Sequence, residues 1–68
     1  MNFIERLKTE RTELAEKLQK LKNFVYNEKL LEIDHTQAAL LKTQVDVMQT
    51  YLNILTLRIE LLEPVTNN

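Results

Sequence analysis

From Met1 to Glu63 nothing in this chain breaks a helix: glycine is absent throughout, and the single proline stands at position 64. That one feature removes most folds at once. Tight hairpin turns take glycine at positive φ, and phosphate-cradling loops take it for close backbone approach. The 13 leucines fall instead at helical spacing. The chain is therefore read as all-α, and 68 residues leave room for one small domain.

The spacing of apolar residues divides it into two helices. A first stripe runs Ile4, Leu7, Arg11, Leu14, Leu18, Leu21, Val25 in steps of three and four, a heptad seam interrupted only by Arg11. Asn2 caps its start, with Glu5 three residues on in a box-like pattern. Glu13–Lys17 and Glu16–Lys20 stand in the favourable i,i+4 order on the opposite face. Asn27 is the best residue for a left-handed cap, which ends the helix near 27. Residues 28–34 connect, with Leu30, Leu31 and Ile33 expected to fold over the hairpin's end. Asp34 caps the second helix, Gln37 takes its third position, and Ile33 with Ala38 forms a hydrophobic staple. This helix runs to about 63, where Pro64 stops it, and 64–68 is expected to be a frayed tail. The expected fold is an antiparallel two-helix hairpin over about 3–27 and 35–63.

Helix two carries more apolar surface than one partner can cover. One seam is Leu41, Val45, Met48, Leu52, Leu55, Ile59, Leu62. A second lies beside it: Leu40, Gln44, Val47, Tyr51, Ile54, Arg58, Leu61. A hairpin buries one stripe per helix and leaves the other in water. So small a core also needs outside support, and a chain without cysteine has no disulfides to supply it. Both points predict a homo-oligomeric helical bundle, most simply a dimer, with Leu40, Val47, Ile54, Leu57 and Leu61 at the interface.

Charge and residue types narrow the chemistry. Net charge is −1, with seven Lys/Arg against six acids in residues 1–33 and two against four in 34–68. No basic field of the kind that holds a nucleic-acid backbone is present. The first residues reach charge immediately, and no stretch approaches the roughly 18 apolar residues of a membrane span, so a soluble, cytoplasmic protein without a signal segment is expected. Serine and cysteine are both missing, which removes the commonest nucleophiles. His35 is the sole histidine, and no spaced ligand set accompanies it, so it reads as a solvated first-turn residue and not as a metal ligand. No enzyme activity and no cofactor are expected.

Four residues are candidates for ligand contact: Arg11, Gln44, Tyr51 and Arg58. Three readings stand for Arg11. Its stem lies across the seam with the head in water; it pairs with a carboxylate such as Glu10 or Glu13; or it faces an anion site. In a hairpin turning near residue 31, facing positions have numbers summing to about 62. Arg11 then comes level with Tyr51, Leu7 with Leu55, Leu14 with Met48, and Arg58 with Ile4 and Glu5. A guanidinium and an aromatic ring at one level suit a nucleotide, but the same pair is common as plain packing, and taken alone it reads as packing. Gln44 and Arg58 interrupt the second seam, where polar groups set register or line a site between chains. Phe24 is expected to bury against the connection and Tyr26 to project outward.

The pattern Arg6-Leu7, Glu10, Leu14, Lys17-Leu18, Leu21, Phe24, then Leu40-Leu41, Gln44, Met48, Tyr51, Leu55, Arg58-Ile59 resembles a family of small phage-encoded helical hairpins first named after a gene product of a crAss-like gut phage. It spans nearly all of residues 6–59, and Arg6, Phe24, Gln44, Met48, Tyr51 and Arg58 carry its discrimination. The resemblance implies a phage product acting in the cytoplasm of an infected bacterium. In architecture the chain is similar to the anti-CBASS and anti-Thoeris sponges, short helical hairpins that hold cyclic-nucleotide or ADP-ribose-derived immune signals between subunits without cleaving them. That similarity implies an anti-defence role, with Arg11 and Arg58 on phosphates, Tyr51 stacking and Gln44 reading a base or ribose edge. The alternative is a structural or interaction protein whose spare helix face docks a host or phage protein.

Overall fold

A computed structural model describes residues 2–63, and it consists of two long helices and a short connection. Helix α1 spans Phe3–Val25, a single 3-10 turn spans Glu28–Glu32, and α2 spans His35–Leu62. The expected roles of Pro64 and of 64–68 lie outside the described residues. Both starts are capped as the side chains dictate. Asn2 Oδ1 accepts from the Glu5 amide at 2.8 Å, and Asp34 Oδ2 accepts from the amides of Thr36 and Gln37 at 3.0 and 3.3 Å. Each satisfies amide donors that a first helical turn otherwise leaves unpaired.

The end of α1 differs from expectation. The helix stops at Val25, Tyr26 is its cap with φ −96°, and no described residue has positive φ. Asn27 is extended at φ −109° and ψ 158°, and its side chain accepts from the Lys29 amide at 3.0 Å. Asn27 thus starts the next turn and does not close the last one, because its short carbonyl finds an amide two residues ahead without left-handed backbone. The connection also sorts its apolar residues. With three residues per turn, Leu30 and Ile33 share a side and pack on the core with Phe24, while Leu31 faces away and is 86% exposed. Leu31 is not part of the cover over the hairpin's end. Tyr26 projects outward as expected, and Phe24 is half-buried.

Two aliphatic clusters hold the helices together. Near the turn, Leu18, Val25, Leu30 and Val45 are buried, with Leu21, Phe24, Ile33, Ala38, Leu41, Met48 and Leu52 around them. Toward the open end, Leu7, Leu55 and Ile59 are buried with Leu14 against them. Leu7 meets Leu55 at the expected level, but Leu14 joins the Leu55 cluster while Met48 joins the other. Among the described residues no polar side chain is buried. Each fully buried leucine contributes about 1.5–3 kcal/mol against exposure, so a handful supports only a marginal fold once chain entropy is subtracted. Glu13–Lys17 and Glu16–Lys20 do not close. Among the described residues the ion pair is Lys8–Glu63 at 2.7 Å, across the helices at the open end and half in water.

Leu55 is wholly buried, whereas Leu31 is solvated. Leu55→Ala is expected to cost about 2–5 kcal/mol, and Leu31→Ala close to nothing. Urea melts followed by circular dichroism check both, and a loss at Leu31 equal to that at Leu55 contradicts the packing described.

Candidate functional site

Once the leucine stripes face each other, every other side chain falls on one of two edges or on the back. At 100° per residue, Phe3, Arg6 and Glu10 lie on one flank of the α1 stripe, and Lys8, Ala15 and Lys22 on the other. On α2 the corresponding flanks carry Gln44, Tyr51 and Arg58, and Gln49 and Thr56. The cross-helix contacts agree. On the first edge the Tyr51 hydroxyl donates to Glu10 Oε2, and the Arg58 guanidinium lies 6.0 Å from the centre of the Phe3 ring. On the second edge Lys22 Nζ donates to Gln49 Oε1 at 3.1 Å, and Lys8 meets Glu63.

The candidate residues therefore do not gather in one place. Gln44, Tyr51 and Arg58 share the first edge, spaced a heptad apart, and all three are exposed. Arg11 is half-buried on the second edge, in an open groove of about 510 Å³ lined also by Thr12, Ala15, Glu16, Gln19, Leu52 and Thr56. It is level with Tyr51 along the axis, as the hairpin arithmetic has it, but the two helices stand between them. Among the described residues no carboxylate sits within ion-pair distance of Arg11. Arg11 shares the groove with Ala15 and Leu52 and is partly exposed there.

The first edge has the more distinctive chemistry. Phe3, Arg6, Leu7, Glu10 and Arg58 line a groove of about 380 Å³. It holds two guanidinium groups and one carboxylate, and that carboxylate already accepts from Tyr51. A net positive charge remains. Planar forks of this kind match the paired oxygens of phosphate or carboxylate. Phe3, half exposed, presents a ring face to Arg58, an arrangement worth about 0.5–1 kcal/mol at the surface. Next along the same edge, Asp46, Val47, Thr50, Tyr51 and Ile54 line a second, chiefly apolar groove. Gln44 places its amide 3.8 Å from the Met48 sulfur, a weak contact that leaves the rest of the amide free.

Arg6 and Phe3 are not among the four residues that the spacing singles out for ligand contact. A signal for them exists in the sequence: Phe3, Arg6 and Glu10 stand at i, i+3 and i+7, so they share a face, and the rule of facing numbers sends Phe3 to Arg58. No group of His, Asp and Glu that can hold a metal ion occurs among the described residues, and His35 is exposed at the start of α2. Among those residues no helix is long and apolar enough to cross a membrane.

The second seam of α2 stands open. Leu40, Val47, Ile54, Leu57 and Leu61 are all between about half and four-fifths exposed, and Tyr51 is 42% exposed. This is the spare stripe that the spacing implies, and none of the described residues of one chain covers it.

Tyr51→Phe removes the cross-helix bond to Glu10 without removing the ring, so it is expected to cost at most about 1 kcal/mol, and Glu10→Gln a similar amount. A double-mutant cycle over the two, read by urea melts, is expected to show coupling of several tenths of a kcal/mol. Strict additivity contradicts the bond.

The family model described as Sequestin matches residues 1–61, and so covers both helices, as does the residue pattern that runs from Arg6 to Ile59. No curated protein and no solved structure matches the chain.

Proposed function

The chain belongs to the Sequestin family, and from that membership and the Phe3–Arg6–Arg58 groove we propose that it is a non-catalytic protein that sequesters an anionic, nucleotide-derived small molecule. The family's name denotes sequestration, and the groove supplies the chemistry. Arg6 and Arg58 hold phosphate through charge-assisted hydrogen bonds, and Phe3 and Tyr51 offer flat faces for a base. Gln44 donates and accepts and suits a base or ribose edge. It lies about 21 Å along the helix from Arg58, so in this reading it reaches the ligand from a second subunit. The ligand class in this reading is a cyclic nucleotide or an ADP-ribose derivative of the kind that serves bacterial immunity as a signal. The protein then acts as a phage anti-defence factor in the infected cell's cytoplasm, and the signal is held between subunits of a homo-oligomer.

The reading takes binding to occur without cleavage, in keeping with the residue types. The chain has no serine or cysteine to attack a phosphoester or glycosidic bond, and Glu10, the carboxylate lining the groove, is engaged by Tyr51. The observation that carries the reading is the pair of guanidinium groups that line one groove with a single carboxylate, which leaves a net positive charge. A second reading rests on the exposure of Ile54, Leu57 and Leu61: the open seam of α2 docks a host or phage protein, and Arg58 only sets its register.

Calorimetric titration against cyclic di- and oligonucleotides and ADP-ribose derivatives tests this. Saturable binding to one class is expected, with Arg6→Ala and Arg58→Ala each weakening it by at least tenfold, or about 1.4 kcal/mol or more. Mass spectrometry of ligand released by heating is expected to return an unchanged mass. Absence of heat with every ligand, together with a co-purifying protein lost in Ile54→Lys and Leu57→Lys, favours the docking reading instead.

A further inference from the structure

The open seam of α2 reads nearly the same in both directions. Reversed about Tyr51, it maps Leu40 onto Leu61, Gln44 onto Arg58 and Val47 onto Ile54. Such a sequence is complementary to its own reversed copy, which is what a two-fold axis perpendicular to the helix requires. From this we infer that the face is covered by a second copy of the chain, with the two α2 helices antiparallel and crossing at Tyr51. In that register leucine meets leucine at both ends, Val47 meets Ile54, and each Arg58 lies against Gln44 of the second copy, whose carbonyl accepts from it. A parallel pairing sets Arg58 against Arg58 and Gln44 against Gln44, which repels at the one charged position of the seam.

The edge of α1 supplies an independent check, because nothing in the α2 seam dictates its charges. Within one chain Glu10 is level with Tyr51 and Phe3 with Arg58. Glu13 and Lys17 repeat Arg6 and Glu10 one heptad on, share their edge and are exposed. Carried through the same two-fold axis, Arg6 comes level with Glu13 of the second copy, and Phe3 with Lys17 of the second copy. Opposite charges meet, and a cation faces a ring. The size is also right. Among the described residues the hairpin is 16 Å thin, a single layer of helices. The seam from Leu40 to Leu61, about 30 Å long at 1.5 Å per residue, offers with the α1 edge roughly 600 Å² per copy, near the ~800 Å² that a stable interface takes from each partner.

The antiparallel dimer stands on the face alone, whereas its consequence for the site rests on the sequestering role. The axis closes the Phe3–Arg6–Arg58 groove with Gln44 and Lys17 of the second copy. A dimer then has two equivalent sites, and neither is complete in a monomer. Each sets Arg6 and Arg58 of one chain and Lys17 of the second against Glu10 and the second copy's Glu13, a net single positive charge with an amide at its wall. The matching ligand carries a phosphodiester, with one polar edge facing Gln44.

The cysteine-free chain makes the test direct. Sedimentation of the intact protein is expected to give twice the 8.1 kDa chain mass, falling to the chain mass in Ile54→Lys while circular dichroism stays helical. Leu40→Cys and Leu61→Cys are prepared separately, mixed, allowed to exchange and oxidised. A cross-linked dimer is expected in the mixture and in neither variant alone. Self-cross-linking of either variant shows a parallel pair and overturns the proposal, as does a monomer at tens of micromolar. The two readings fail separately: a mixed cross-link with no ligand bound keeps the dimer and removes the sequestering function, and ligand bound by a monomer does the reverse. Gln44→Ala is expected to weaken ligand binding about tenfold with the dimer mass unchanged.

Discussion

Leu55 and Ile59 packing on Leu7 fix the register of the two helices, and the chemistry of each edge depends on that register. With no polar side chain buried among the described residues, alignment rests on the shape fit of branched aliphatic groups and on the two caps that set where each helix starts. A shift of α2 by one turn against α1 would carry Arg58 past Phe3 and Tyr51 past Glu10. The groove exists because the leucines near it are in step.

A hairpin of this size buries one stripe per helix and no more, and that limit explains both its small core and the stripe it leaves exposed. Its core is two small aliphatic clusters, and its connection is one 3-10 turn. The second stripe of α2, left in water by a single chain, is where Gln44, Tyr51 and Arg58 sit. Residues that would destabilise a closed core are placed at the boundary between hairpin and solvent, where water satisfies their hydrogen bonds. An anion site built there needs no loop and no glycine, only guanidinium groups brought together on a stiff support.

Much of the fold was legible in the residues, for local reasons. The caps at Asn2 and Asp34 follow from side chains that accept from nearby amides, and the two long helices from an unbroken heptad spacing. The end of α1 was not: Asn27 has two local hydrogen-bonding options, and only the position of the turn chooses between them. Leu31 shows the same gap, since its composition argues for burial while the three-residue period of the connection turns it outward. For the site, the level of Tyr51 and Arg58 was legible from hairpin arithmetic, but the edge was not. Arg11 and Tyr51 are level and yet lie on opposite edges, because a number along the axis carries no information about rotation around it.

The sequence by itself determined that this chain is helical, bends once, and carries more apolar surface on its second helix than its first can cover. These are properties of spacing, capping and composition, which act within a few residues. Only the tertiary structure decided which side chains share an edge: that Arg6 and Phe3 join Arg58, that Glu10 is taken by Tyr51, and that Arg11 stands apart. Those relations arise from packing two helices in one register and rotation. They are set by how the leucines interlock across the pair, and no local rule along the chain contains them.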